Sequence, residues 1–145
     1  MMTFMLICTF LVVGFAINGL SELAGSSFLN KFLDGNLIVL LVALFSINTT
    51  TVSLILTKMR EIADKYPSAD FTKTRKAMKR ATIEQVFLIG LGVIFEIIKS
   101  SPWMIRNVPY SEFILNSMLA GIFGYAIQIV YDTAKGVYVI LDYGH

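Results

Sequence analysis

The sequence predicts an all-α integral membrane protein with four transmembrane helices and a short basic helical loop on the cytoplasmic side. Three observations lead there. Hydrophobic residues are 56% of the 145-residue chain and charged residues only 15%, against about 45–50% and about 25% in soluble domains. A chain this small leaves too much of itself at its surface to hide that excess from water, and its mean hydropathy is +0.72. The apolar residues gather into four runs, and eight of the 12 basic residues fall between the second and third of them: Lys58, Arg60, Lys65, Lys73, Arg75, Lys76, Lys79 and Arg80. These features exclude an ordinary soluble domain, a disordered chain and a collagen-like fibre.

The runs are residues 1–20, 37–58, 82–99 and 112–132 of one membrane domain, 1–145. A helix of roughly 20 residues crosses a hydrocarbon core of about 30 Å. In lipid each backbone amide must bond within its own segment, which favours helices over strands. The first run is uncharged, and lacks both a basic leader and a small-residue cleavage motif, so it reads as a retained helix. The second is uncharged up to Lys58. The third is interrupted by Glu84, Gln85 and Glu96, and Lys79, Arg80 and Lys99 at its ends can snorkel to the interface. The fourth has no charge between Glu112 and Asp132.

Charge then sets orientation. Only Lys31 precedes the second run in its loop, and only Lys99 and Arg106 follow the third. The positive-inside rule places loop 58–81 in the cytoplasm, and four spans put both termini there too. Within that loop Pro67 ends the preceding helix, and Ser68 or Asp70 can cap a new one starting near Phe71. The tail, 132–145, contains Gly136 and either continues the fourth helix or forms a short strand. Tyr131, Tyr138 and Tyr143 suit a membrane interface, as do Trp103 and Tyr110 in the outer loop.

Polar residues within the runs are the functional candidates. Ser46, Thr50, Ser53 and Thr57 recur at helical spacing and form one hydroxyl stripe, with Asn48 and Thr51 on a neighbouring strip. Such a stripe can line a hydrated path, its oxygens replacing part of an ion's water shell. It can equally serve helix packing, with hydroxyls bonded to their own backbone and Asn48 joining two helices. On the third run, Gln85, Ile89, Gly92 and Glu96 share a line. Glu96 lies six residues before Pro102, roughly 9 Å inside a helix reaching that proline. It either attracts cations at a pore mouth or pairs with Lys99.

Small residues mark close helix contacts: Ser117 with Gly121 and Ala120 with Gly124 in the fourth run, Gly90 and Gly92 in the third. Lys73, Arg75, Lys76, Lys79 and Arg80 form either a solvated face near anionic headgroups or a docking surface for a soluble partner or nucleotide-type ligand. No specific nucleic-acid readout is expected. One cysteine, Cys8, and one histidine, His145, leave no disulfide, no metal centre and no buried Ser-His-Asp triad. Phosphate-cradling loops and hydrolase motifs are missing. The sequence therefore predicts a protein that is not an enzyme and carries no cofactor. Side chains fill the axis of a four-helix bundle, so an ion path is expected at the symmetry axis of a homo-oligomer.

The Thr-rich second run (Asn48-Thr-Thr-Thr-Val-Ser53), the basic loop and a carboxylate in the third run (Glu84 or Glu96) resemble the small four-helix phage-resistance membrane proteins, such as RexB and the membrane subunit of Kiwa systems. The resemblance implies a bacterial inner-membrane location and a role in depolarisation or damage sensing on infection, often with a soluble partner. The expectation is a homo-oligomeric channel or pore of the inner membrane, acting in antiviral defence. The alternative is a non-conducting anchor or scaffold subunit.

Overall fold

The computed structural model describes residues 2–67 and 69–142. Six helices follow one another: α1 (Met2–Leu23), α2 (Phe28–Leu33), α3 (Leu37–Lys65), α4 (Thr72–Lys99), α5 (Pro102–Asn107) and α6 (Ser111–Asp142). No strand occurs among the described residues. Four helices, α1, α3, α4 and α6, are long and apolar enough to cross a membrane, and the chain is a multi-pass membrane protein by architecture.

Each span runs past its apolar run where charge or amphipathic sequence permits. Helix α3 continues through Lys58 to Lys65, where its first ion pair beyond the apolar run joins Lys58 to Glu61 at 2.5 Å. The chain turns at Pro67, and Asp70 accepts a hydrogen bond from the Thr72 N–H at 2.9 Å as α4 begins. Ser68, the other expected cap, lies outside the described residues. Helix α6 passes straight through Gly136 to Asp142, so the tail up to that point is helix and not strand. Tyr143 and His145 lie outside the described residues.

Two short helices, α2 and α5, occupy loops that carry no long periodic signal. Pro102 opens α5, where its fixed φ suits the first turn and its missing N–H is not needed. Gly35, with φ +76°, turns the chain from α2 into α3.

Helix α6 is the central element. It packs on α1, α3 and α4 and is buried along most of its span, whereas the other three bury only a small share of theirs. The main core joins Leu33, Leu37, Leu41 and Leu88 to Leu119, Ile122, Ala126 and Ile129 of α6. A second cluster at the basic end gathers Ile55, Met59, Met78 and Ile140, with Phe71 packed against it.

Candidate functional site

The side of α3 that faces the bundle carries Leu37, Leu41, Asn48, Ile55 and Met59, all buried. At 3.6 residues per turn, Ser46, Thr50, Ser53 and Thr57 centre about 170° away from that line. All four are exposed, and so is Thr49. The hydroxyl stripe therefore points directly away from its own protomer.

Every hydroxyl on it is anchored one turn back. Ser46 donates to the Val42 carbonyl at 3.0 Å, Thr50 to Ser46 at 3.0 Å, Ser53 to Thr49 at 3.0 Å and Thr57 to Ser53 at 3.0 Å. Thr49 and Thr51 do the same, at 2.8 Å and 2.9 Å. With each proton committed to the backbone, the surface is left with oxygen lone pairs, which accept from water or coordinate a cation.

Asn48 does not belong to this face. It is fully buried, and its Nδ2 donates to Gln85 Oε1 of α4 at 2.7 Å. Here the packing use of an intramembrane asparagine prevails. Asn48 Oδ1 and Gln85 Nε2 remain without a hydrogen-bond partner, so this single bond carries the amide pair.

Glu96 also differs from its expected placement. Helix α4 ends at Lys99 rather than near Pro102, which puts Glu96 about 5 Å from the helix end at 1.5 Å per residue. It lies on the line of Met78, Gln85 and Gly92, the buried face of α4, and its Oε1 is buried without a hydrogen-bond partner. The pairing with Lys99 does not form; Lys99 donates instead to Asp34, in the turn before α3. Distance in sequence hid this partner, 65 residues away.

The small residues of α6 meet α1. Ser117, Ala120 and Gly121 are buried, and the Gly121 backbone lies against Phe10 and Gly14. The Phe10 ring lies over Gly124. Gly92 faces Leu41 and Ile38 of α3, but Gly90 has open space around its Cα and marks no helix contact. One residue of this contact carries no pattern of its own in the sequence. Asn18, buried at 2% exposure, donates to the Phe113 carbonyl at 2.8 Å and to Ser117 Oγ at 3.0 Å. The available signal is that Asn18 is the one amide side chain in the first run and lies one turn beyond Gly14. A similar bond joins Asn116 of α6 to Asn30 of α2 at 2.8 Å.

At the basic end, Lys73, Arg75, Lys76, Lys79 and Arg80 are all exposed. Helical spacing puts Lys73, Lys76 and Arg80 on one face and Arg75 with Lys79 to its side, so they do not form a single patch. Arg80 is engaged: its Nε donates to Glu84 Oε1 at 2.7 Å, and Tyr125 of α6 donates to Glu84 Oε2 at 2.9 Å. Among the described residues no group of acids, cysteines or histidines could hold a metal ion.

These features define a helical membrane protein with a hydroxyl-bearing face of α3 turned outward. Comparison with protein-family models, curated proteins and solved structures gives no significant match to the chain.

Proposed function

We propose that the protein is a homo-oligomeric ion channel or pore of the bacterial inner membrane, with α3 of each protomer facing the symmetry axis. The observation that carries this reading is the outward hydroxyl stripe, Ser46, Thr50, Ser53 and Thr57. Polar side chains on a lipid-exposed face contribute nothing to the protomer's own packing. Copies of α3 around an axis give them a hydrated surface and leave the apolar sides of each bundle to lipid. Lone pairs without spare protons suit the passage of cations.

Asn48 packs against α4 in this arrangement, Glu96 lies on the bundle-facing side of α4, and the lining is the hydroxyl stripe alone. The positive-inside rule puts the basic end, and with it both termini, in the cytoplasm. The resemblance to phage-resistance membrane proteins supports a triggered depolarising effector, with the exposed lysines of α4 available to a soluble partner.

The test is flux from liposomes loaded with a potassium-sensitive dye and containing the purified protein, alongside its mass in detergent. An oligomer that passes ions, with T50L and S53L each reducing flux, is the expected result. A strict monomer, or flux indifferent to both substitutions, overturns the proposal. A silent oligomer that co-purifies with a stoichiometric membrane partner establishes the scaffold reading instead.

A further inference from the structure

The hairpin between α3 and α4 carries an open cavity of about 420 Å³, whose lining includes Leu56, Met59, Arg60, Asp70, Phe71 and Arg75. Its two halves differ in character. Met59 and Phe71 tie its apolar side to the second core cluster, and the exposed Leu56 extends that side outward. Arg60 and Arg75, fifteen residues apart in sequence, stand on the rim, one from each helix.

Neither guanidinium makes a hydrogen bond or an ion pair with another described residue. Asp64, one turn beyond Arg60 on α3, is exposed and lies outside the lining. Glu61 is paired with Lys58, and Asp70, the one acid of the lining, accepts the Thr72 N–H at 2.9 Å. Against the single carboxylate of Asp70, the two guanidinium groups leave the cavity with an excess positive charge that a bound anion offsets. Their planar forks match the oxygens of a phosphate in a way that a lysine ammonium does not. The cavity sits where the apolar span of α3 gives way to Lys58 and Arg60, the level of lipid headgroups in a helix that crosses a bilayer. The apolar side suits the glycerol and first methylenes joined to such a phosphate, and has no use for a free inorganic ion.

We propose that this cavity is a binding site for the phosphate group of an anionic phospholipid, held between Arg60 and Arg75 with the lipid's apolar part on Leu56, Met59 and Phe71. The site does not depend on whether the protein conducts ions. It assigns a role to Arg60 and Phe71, and it separates Arg75 from the lysines of α4.

The experiment is native mass spectrometry of the full chain released from nanodiscs containing phosphatidylcholine and phosphatidylglycerol. The wild-type protein should retain phosphatidylglycerol in preference to phosphatidylcholine. R60Q/R75Q should lose that preference by roughly tenfold or more, as expected when bidentate charge-assisted contacts are removed. K73Q/K76Q, which removes two charges outside the cavity, should keep it. R60K/R75K retains the charge and loses the forks, and should fall between; its thermal unfolding alongside that of R60Q/R75Q shows that both variants fold. Equal losses from R60Q/R75Q and K73Q/K76Q would mean a diffuse basic surface and overturn the site. Unchanged retention in R60Q/R75Q would do the same. Displacement of the lipid by millimolar inorganic phosphate alone would make the ligand a soluble phosphate and overturn the lipid assignment.

Discussion

Gly14 of α1 and Gly121 of α6 bring their two backbones into direct contact: a Cβ added to Gly14 would lie 2.7 Å from the Gly121 nitrogen and 2.2 Å from the Ser117 carbonyl oxygen. Backbone atoms cannot step aside as a side-chain end can. The contact is the membrane form of close packing, in which small residues allow dispersion and short polar bonds to replace the hydrophobic effect. One turn on, Asn18 uses that closeness to reach Phe113 and Ser117.

Gly14→Ala is therefore expected to separate α1 from α6 and lower stability by about 1–3 kcal/mol, the usual range for overpacking. Gly19→Ala, with nothing near its Cα, should stay within about 0.5 kcal/mol of wild type. Reversible unfolding in bicelles, followed by a label on α1, checks both.

The Asn48–Gln85 bond predicts strong non-additivity. Asn48→Leu or Gln85→Leu alone strands a buried amide and should cost about 1–3 kcal/mol. The double substitution removes both amides and should cost less than the two singles together. Coupling in membrane helices averages about 0.6 kcal/mol and reaches about 1.7. A double-mutant cycle that closes additively would show that the bond does not join α3 to α4.

The stripe predicts a separation of folding from function. Thr50→Leu and Ser53→Leu remove exposed hydroxyls bonded only to their own helix, so stability should move by less than about 0.5 kcal/mol. Flux should fall all the same. A matching loss of helix content or thermal stability in either variant would attribute the flux change to misfolding.

Asp70 predicts a local acid response. Hydrogen bonds from the Thr72 side chain and backbone hold its carboxyl below the usual carboxylate range. A lowered folded-state value makes its contribution to the start of α4 fully present above that ordinary range, and lost as pH falls through the lowered value. The hydrogen-exchange protection factor of the first turn of α4 should fall on strong acidification in wild type, and be low already at neutral pH in Asp70→Ala.

The fold was legible because lipid imposes a coarse rule. Residues 2–20 of the first run, and runs 37–58, 82–99 and 112–132, each fall within one long helix, and Gly92, Ser117, Gly121 and Gly124 mark contacts that the structure contains. Harder to read was what each polar residue does. Ser46 and Asn48 are two positions apart, yet one faces out and the other is buried against Gln85. Helical geometry fixes the angle between them, while the choice of inward side depends on where α4 and α6 sit. Lys99 illustrates the same limit: Glu96 is one turn away and Asp34 is distant in sequence, yet Asp34 is its partner. The short helices α2 and α5 are set by the chain's path between spans, and a six-residue segment gives periodicity too little length to show itself.

The central position of α6 also bears on how the protein is made. Helices α1, α3 and α4 leave the ribosome before the element they surround. Until α6 arrives, the amide of Asn18 has neither Phe113 nor Ser117 to bond, and Gly14 has no backbone to lie against. Asn48 and Gln85 can find each other as soon as α4 is made. The expected order is therefore an α3–α4 hairpin closed by its own amide pair, followed by docking of α1 and that hairpin onto the newly inserted α6.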